Sequence, residues 1–324
     1  MRVMIFGDAN VDVTVKWPDA EKAWPGLPPA ERKLISSKIV ESQKRGTDLE
    51  FYLPKRNGVL SDFFGSLNPR VEFGGCGAIK ARTMAALGHE VSFYSWVGDD
   101  GNGAMILDEL SDAGVGTTNV VVSGQTCETY NLFDPRRKRL AFSFWEPKLD
   151  FQRFAKAAKK EKPDAVFLTG AHRVKQGLGY AQLPGAYVFT GSFAGHTKKE
   201  LESKYDNDLS KGILVSNDTE IMQLSGARDP ISGMKKLRND LIVMHGPLET
   251  AVKRGSEIIV ADTEDMDKTK VKELTGIGDV WEAVLISSVG DIKAASPELI
   301  EESMFRATRA AVRRMLTGKF PTKI

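Results

Sequence analysis

The stretch Glu273-Leu274-Thr275-Gly276-Ile277-Gly278-Asp279-Val280-Trp281-Glu282-Ala283 decides the fold prediction. Two glycines separated by one residue, followed by an aspartate and residues of reasonable helix propensity, predict a tight turn that runs into a helix. Such a turn directs several backbone N–H groups to one point, where the positive end of the helix dipole adds to their field. The stretch therefore predicts an anion site beside a carboxylate that can deprotonate a nucleophile. An aspartate that merely caps the helix is the simpler interpretation, and the remaining sequence must decide between the two.

The composition describes a folded chain without a strong charge bias. Of 324 residues, 41% are hydrophobic, which allows one large domain or a domain with a smaller appendage. The 45 Lys and Arg residues nearly balance the 43 Asp and Glu residues, so no nucleic-acid partner is expected. Two cysteines, Cys76 and Cys127, match neither a disulfide framework nor a metal motif, and they favour a cytoplasmic location. No run approaches the ~18 apolar residues of a membrane helix, and no signal peptide or membrane partner is expected.

Polar residues follow the first predicted strand. Residues 2–6 form a short apolar run, and Gly7 ends it before Asp8, Asn10 and Asp12. Residues at alternating positions of an extended segment share one face, where carboxylates and an amide suit hydrogen bonds to a polyol. An Asx-rich turn that satisfies its own backbone explains the same residues equally well.

Residues 16–68 form an excursion from this pattern. Prolines break the segment repeatedly, a helical pattern covers residues 30–44, and short apolar runs follow. The excursion is either a lid over a site or an ordinary surface insertion. Its aromatic residues Trp17, Trp24 and Phe51 can stack on a ligand or cover the insertion's own small core.

The rest of the chain alternates strands and helices. Three glycines between residues 74 and 77 precede a small-residue helix, and glycines also close the following strand and helix. This alternation is typical of a parallel sheet. Later strands are predicted at residues 165–169, 186–190, 213–216 and 241–244, and hairpins at 129–144 and 250–260. Lys80 and Arg82, on the small-residue helix, could reach a phosphate on the substrate, but a solvated helical face is the more frequent explanation.

In this order, the segments resemble the ribokinase, or PfkB, family of carbohydrate kinases, and the resemblance covers most of the chain. Each motif is short, so their common order carries the resemblance. The matching segments are G-x-x-x-x-D at Gly7 to Asp12, the glycine pair and helix at residues 74–88, V-G-x-D at Val97 to Asp100, N-x-x-E at Asn217 to Glu220 and G-x-G-D at Gly276 to Asp279.

The resemblance implies a Rossmann-like three-layer α/β sandwich with a mostly parallel central sheet and a small β lid. Residues 1–324 would form a single ribokinase-like domain, with a lid or insertion at about residues 13–70 and a lid hairpin at about residues 127–145. Relatives often pair through their lids, so a homodimer through the lid is a further expectation.

The resemblance also implies a role for each motif. Asp279 would be the base that deprotonates the acceptor hydroxyl, and the N–H groups of Gly276, Ile277 and Gly278 would form the anion hole. The expected substrate-binding residues are Asn10, Asp12, Gly74 and Gly75. The expected nucleotide-binding residues are Asn217, Glu220, His245 and Gly246, and Glu220 would also contact a magnesium ion through water.

Three departures from the family pattern concern the substrate and the donor. Ile79 stands where many members carry Asn, which removes an amide that would bond a sugar hydroxyl. Glu273 and Leu274 replace the start of a D-T-T sequence beside the phosphates. His245 stands where ATP-using members often carry T-x-G, and it looks somewhat like the ADP-dependent sugar kinases of the same superfamily.

The predicted function is phosphoryl transfer from a magnesium nucleotide, ATP favoured over ADP, to a hydroxyl of a sugar or sugar derivative. The alternatives are a nucleoside kinase and an ADP-dependent sugar or sugar-phosphate kinase. A non-catalytic sugar or nucleotide sensor is a further alternative, but such a protein has no need of a base at Asp279.

Overall fold

Two β-sheets and the helices around them organise the chain. The structure is a computed structural model, and it describes residues 1–45, 49–53, 58–133, 139–144, 149–169, 183, 187–191, 213–263 and 275–321. Glu273 and Leu274 lie outside the described residues. Among the helices in these ranges, none combines the length and apolar character needed to cross a membrane.

The strands predicted at residues 165–169, 186–190, 213–216 and 241–244 are present to within one residue. The strands are β1 (Arg2–Phe6), β2 (Asn10–Lys16), β3 (Leu49–Leu53), β4 (Arg70–Gly74), β5 (Glu90–Val97), β6 (Gly116–Val122), β7 (Cys127–Phe133), β8 (Arg139–Phe144), β9 (Ala165–Thr169), β10 (Tyr187–Gly191), β11 (Ile213–Asn217), β12 (Leu241–His245), β13 (Glu249–Arg254) and β14 (Glu257–Asp262). The α-helices are α1 (Trp17–Ala23), α2 (Pro29–Arg45), α3 (Gly58–Ser66), α4 (Cys76–Ala86), α5 (Gly101–Asp112), α6 (Phe151–Glu161), α7 (Asp218–Ser225), α8 (Pro230–Lys236), α9 (Ile277–Val289) and α10 (Pro297–Thr317).

A nine-stranded sheet in the order β14-β13-β12-β11-β10-β9-β1-β5-β6 forms the centre of the fold. The strands from β12 to β6 pair in parallel, and β13 and β14 form an antiparallel hairpin at one edge. The predicted parallel sheet and C-terminal hairpin are confirmed. From β1 the chain continues to β5 on one side and later to β9 on the other, so the strand order reverses between β1 and β9. Ligand sites of open α/β sheets lie beyond the carboxyl ends of the strands at such a reversal.

The side chains of β1 pack against helices on both faces of the central sheet, so the fold has three layers. Val3 and Ile5 belong to a hydrophobic core that includes residues of α4, α9 and α10. Met4 and Phe6 point into a second core, formed with α6, α7 and α8. Successive side chains of a strand alternate between faces, and a strand covered on both faces reads as a continuous apolar run. This is why the first strand was visible in the sequence without any alternation of polar and apolar residues.

A second sheet has five strands in the order β3-β8-β7-β2-β4. Its strands β7 and β8 form the antiparallel hairpin that the sequence predicts at residues 129–144. Trp24 lies edge-on to Phe63 at 6.4 Å between ring centroids, and Phe51 packs on Phe142 at 5.7 Å. Trp24 therefore packs within the excursion itself, whereas Phe51 packs on the hairpin strand β8.

Phe64 on α3 is a suitable probe of the packing against the five-stranded sheet, because it is fully buried and stacks on Tyr130 at 5.0 Å. We expect Phe64→Ala to lower the free energy of unfolding by about 3–5 kcal/mol, since it leaves a cavity between α3 and the five-stranded sheet. Urea denaturation measures the loss. The matched control is Val59→Ala on the same helix, where the side chain is exposed and the expected change is below about 0.5 kcal/mol. Equal effects of the two substitutions would contradict the packing described here.

Candidate active site

The start of α9 forms the predicted glycine-aspartate turn. Gly276 is the N-cap residue and has a φ of 68°, a left-handed conformation that glycine adopts without strain. Asp279 lies inside the first helical turn and is 8% exposed. The interpretation of Asp279 as a helix cap is therefore wrong, because the helix already begins at Ile277 and the carboxylate is not its N-cap.

The backbone N–H groups of Gly276, Ile277 and Gly278 lie at the N-terminus of this helix. Val280 N donates to Gly276 O at 3.1 Å and so closes the first helical hydrogen bond. N–H groups that precede this bond have no partner within the helix and point out of its positive end. The turn can therefore hold an anion close to Asp279.

Two side chains pack directly on the glycines of the turn. A Cβ atom on Gly276 would overlap Cδ1 of Ile79 from α4. A Cβ atom on Gly278 would lie 2.5 Å from the ring of His245, at the end of β12. Both glycines are thus required by close approach, and the contacts place the turn between α4 and β12.

A buried ionic network joins these same elements. The Lys80 ammonium group contacts Oδ1 of Asp279 and lies 2.8 Å from Oε2 of Glu282. The other oxygen of Glu282, Oε1, is 3.2 Å from Nε2 of His245. Lys80 is only 1% exposed, so the expectation that it lies on a solvated face is wrong. Residues 77–81 of α4 are all buried, and position 80 therefore has no solvated side to occupy.

Arg82 behaves differently from Lys80 although both lie on α4. Its guanidinium group is 2.7 Å from Glu109 of α5, and its side chain is 27% exposed. It also lies over the ring of Phe320, at 4.1 Å from the ring centre. Arg82 thus stands outside the network around Asp279.

Burial and the mutual contacts shift the pKa values within the network. Burial raises the pKa of Asp279, and nearby Glu282 adds to this, whereas Lys80 works in the opposite direction. Burial also disfavours ionised Glu282, but Lys80 and His245 outweigh it and lower the pKa of Glu282. The pKa values of Lys80 and His245 are both raised, because their carboxylate partners outweigh the effect of burial. The network thus favours a cationic Lys80 beside an ionised Glu282.

The predicted substrate-binding residues come together at the second sheet. Asn10 on β2 pairs with Gly74 on β4 in the strand register. The Asn10 side-chain amide donates to Oδ1 of Asp12 at 3.0 Å and to the Thr129 hydroxyl at 3.3 Å. A Cβ atom on Gly74 would lie 2.6 Å from the Asp12 carboxyl, so glycine makes room for that side chain. The structure therefore brings Asn10, Asp12 and Gly74 into one buried polar cluster.

Gly75 and Asp8 attach the start of α4 to the end of β1. Gly75 has a φ of 95°, and a Cβ atom there would lie 2.7 Å from the carbonyl oxygen of Asp8. The Asp8 carboxylate accepts a hydrogen bond from Gly77 N at 3.2 Å, and its carbonyl accepts one from Ala78 N at 3.0 Å. Asp8 therefore holds the start of α4 at the end of β1 through both its carboxylate and its carbonyl group.

The predicted nucleotide-binding residues meet at the carboxyl ends of β11 and β12. Asn217 and His245 are partners in the register of these strands, and Gly246 follows β12. Asn217 and Glu220 form a capping box at the start of α7, in which Glu220 N donates to Oδ1 of Asn217 at 2.8 Å. Oε2 of Glu220 accepts from the Ser216 hydroxyl at 2.6 Å. Burial raises the pKa of Glu220, although the Ser216 and Asn217 donors oppose it.

The arrangement around Glu220 bears on how a magnesium ion can bind. Within the described ranges, no group of three or more His, Cys, Asp or Glu side chains is placed to hold a metal ion. Magnesium commonly keeps several water ligands and binds through one or two carboxylates together with substrate phosphates. A buried carboxylate whose Oε2 is held by Ser216 and by the backbone N–H of Asn217 fits such a contact through water.

The V-G-x-D motif has a structural role. Oδ1 of Asp100 accepts from Gly103 N at 2.8 Å, and its Oδ2 accepts from Thr126 N at 2.8 Å. The aspartate thus caps α5 and fixes the segment that leads into β7. The motif in this way supports the second sheet.

Glu282 is the site residue that the sequence interpretation missed. It lies three positions after Asp279, on the same side of α9, and it is 4% exposed. A signal was present, because Glu282 is a charged residue within the otherwise apolar run Val280 to Ile286. Lys80 is likewise the charged residue in Gly77 to Ala81. A lone charge in a buried helix requires a partner of opposite sign, and these two residues provide it for each other.

The comparison with protein families identifies the class of this site. The model described as the pfkB family of carbohydrate kinases matches residues 67–313. The chain therefore belongs to the pfkB family of carbohydrate kinases and is a phosphotransferase. The family and the enzyme class that the sequence predicts are confirmed. No curated protein matches the sequence.

Solved structures resemble the chain over nearly its whole length. Adenosine kinase from Schistosoma mansoni, solved with 2-fluoroadenosine, has a TM-score of 0.74 at 13% identity and covers 99% of this chain and 97% of its own. Ribokinase from Arabidopsis thaliana, solved with ribose and ATP, has a TM-score of 0.63 at 16% identity, with coverages of 98% and 93%. Aminoimidazole riboside kinase from Salmonella enterica has a TM-score of 0.63 at 14% identity, with coverages of 99% and 97%. At these identities the likeness shows the fold, and it confirms the predicted three-layer α/β sandwich.

The contact between Gly276 and Ile79 can be tested by adding one methyl group. Gly276→Ala would both strain a residue with positive φ and overlap Ile79, whereas Gly226→Ala strains a residue with a φ of 63° in open space. We expect the control to cost about 1–2 kcal/mol of unfolding free energy and Gly276→Ala to cost a further ~1–3 kcal/mol through overpacking. Urea denaturation of both variants measures the difference. If both variants lose the same amount of unfolding free energy, the side chain of Ile79 does not pack closely on Gly276.

Proposed function

We propose that the protein transfers the terminal phosphoryl group of a magnesium nucleotide, with ATP favoured over ADP, to a hydroxyl group of a sugar or sugar derivative in the cytoplasm. The observation that supports this most directly is the buried Asp279 carboxylate, which lies in the first turn of α9 beside the N–H groups of Gly276 to Gly278. A base and an anion site are thereby next to each other, as phosphoryl transfer requires.

The proposed reaction assigns a task to each part of the turn. The acceptor oxygen attacks the terminal phosphorus, a new O–P bond forms, and the bond from phosphorus to the leaving oxygen of the nucleotide breaks. Asp279 takes the proton that the acceptor hydroxyl loses. The N–H groups of Gly276, Ile277 and Gly278 and the helix dipole neutralise the negative charge of the transferred group.

The donor side is proposed to lie at the ends of β11 and β12. Asn217, His245 and Gly246 line this edge beside Gly278, so a nucleotide there would direct its phosphates to the turn. A magnesium ion carried by the phosphates would be contacted through water by Glu220, and it would supply charge neutralisation during the transfer.

The acceptor side is proposed to lie at the polar cluster of Asn10, Asp12 and Gly74. Carboxylate and amide groups bind vicinal hydroxyls well, and Gly75 lets the backbone approach the ligand. Ile79 packs on Gly276 and offers no hydrogen bond in place of the amide that many relatives carry. This loss favours acceptors that need fewer polar contacts on the α4 side, so a nucleoside is the second candidate.

The five-stranded sheet is proposed to act as the lid of this site. Its strand β2 carries Asn10 and Asp12, the lid or insertion at about residues 13–70 supplies β3, and the hairpin at about residues 127–145 supplies β7 and β8. The whole chain would then be one ribokinase-like domain. Its outer strands β3 and β4 offer edges through which two copies can pair as a homodimer.

The base assignment predicts that Asp279→Asn abolishes turnover. The amide cannot accept the proton, so we expect kcat to fall by about 10²–10⁴-fold, while nucleotide binding, measured by calorimetry, stays within a few-fold of the wild type. Asp108→Asn, an exposed aspartate of α5, is the matched control and is expected to leave kcat unchanged. Near-normal turnover of Asp279→Asn would place the base elsewhere.

A coupled assay identifies the acceptor and the donor. Pentoses, hexoses, nucleosides and ribose phosphates are each tested with ATP and with ADP. Phosphorylation of a sugar or a nucleoside supports the proposal and separates its two candidates. A purified protein that binds sugars or nucleotides but phosphorylates none of them would instead be a sensor.

A further inference from the structure

Lys80 has a position that the proposed reaction does not yet explain. Its side chain is 2% exposed, and its ammonium group lies between the carboxylates of Asp279 and Glu282. It comes from α4, which begins at the acceptor-side residue Gly75, whereas both carboxylates belong to α9. One ammonium group thus contacts two carboxylates, and one of these carboxylates is the proposed base.

A purely structural tether explains this arrangement poorly. Two ionised groups lose much of their hydration when they are buried, and an apolar pair of similar volume often holds two elements together at least as well. The two helices already have such an apolar contact, because Ile79 packs on Gly276 at the adjacent position. The ionic contact therefore adds charge at Asp279 rather than adhesion between the helices.

We propose that Lys80 is a positioning residue for phosphoryl transfer: its ammonium group holds Asp279 ionised by engaging Oδ1, and Glu282 anchors the ammonium group in place. This inference rests on the proposed function, since it assigns the acceptor proton to Asp279. With Oδ1 engaged by Lys80, Oδ2 is the oxygen that receives that proton. Lys80 itself stays protonated throughout the reaction.

The charges around Asp279 show why a cation is needed. The neighbouring titratable groups are Lys80 and Cys76 on α4, Asp8 after β1, His245 on β12 and Glu282 on α9. Burial, Glu282 and Asp8 all raise the pKa of Asp279, and Lys80 opposes them. Without Lys80, the carboxylate would keep its proton to a higher pH and would be inactive as a base there. Without the charge of Glu282, by contrast, the carboxylate would lose its proton at a lower pH.

Two substitutions with opposite expected effects test this role. Lys80→Met should raise the titration midpoint of Asp279 by about 1–3 pH units, the usual effect of losing an adjacent opposite charge. Glu282→Gln should lower the midpoint, because it removes a like charge while the oxygen of the isosteric amide can still accept a hydrogen bond from the Lys80 ammonium group and keep it in place. Carbon-13 NMR of carboxyl-labelled protein measures the midpoints, and the signal of Asp279 is assigned by its loss in Asp279→Asn. Arg82→Met, a cation of the same helix paired outside the network, is the control and should leave the midpoint unchanged.

The pH dependence of kcat/KM gives the functional readout. Activity requires ionised Asp279, so it falls as the pH drops through the pKa of this residue. The acid limb should move to higher pH in Lys80→Met and to lower pH in Glu282→Gln, with the acceptor KM changed less than kcat. If Lys80→Met fails to fold, Lys80→Gln, which also removes the charge but keeps a side-chain donor, is titrated in its place and should likewise raise the midpoint.

The outcomes separate this inference from the proposed function. If the wild type phosphorylates an acceptor and Asp279→Asn does not, but neither Lys80→Met nor Glu282→Gln moves the midpoint, Lys80 has only a structural role. Midpoints that move in the same direction in both variants overturn the proposal as well. If the wild type phosphorylates no acceptor, the proposed function fails first, and the positioning role fails with it.

Discussion

The packing of α4 against the start of α9 is the contact on which the rest of the site depends. It combines a close apolar approach, in which Ile79 lies on Gly276, with a buried ionic contact between Lys80 and Asp279. The approach requires a residue without a Cβ atom at position 276, and the same glycine supplies the left-handed conformation that starts the helix. One residue therefore satisfies a steric and a conformational constraint together, and the direction of the N–H groups follows from both.

The parallel sheet explains how residues distant in sequence reach this contact. Lys80 and Asp279 are 199 positions apart in the chain. The end of β1 holds the start of α4 through Asp8, and the end of β12 holds the turn through His245. In a parallel sheet these strand ends lie at the same edge, so acceptor-side and donor-side residues converge without any contribution from neighbouring positions in the sequence.

The sequence predicts the backbone of this site far better than its electrostatics. Apolar runs ended by glycine locate the strands, and short motifs in a common order locate Asp12, Asn217 and Asp279, because both signals are local. The burial of Lys80 is not local, since a lysine on a small-residue helix is ordinarily solvated and only the packing of α9 removes the water. The contact of Asp8 with the start of α4 and the role of Glu282 were missed for the same reason: their partners, Gly77 and Lys80, are set by tertiary contacts.

A buried carboxylate that acts as a base, the role proposed for Asp279, faces two opposing requirements, and the network around it balances them. A raised pKa gives the carboxylate a greater affinity for the acceptor proton, but a pKa raised too far would leave it protonated before the reaction starts. Burial, Glu282 and Asp8 raise the pKa of Asp279, and Lys80 lowers it. Glu282 acts on both sides, because it repels the charge of Asp279 directly and yet holds the cation that stabilises that charge. The balance therefore resides in the geometry of three side chains on two helices, and a change in the packing of α4 on α9 would alter the strength of the base as well as the stability of the fold.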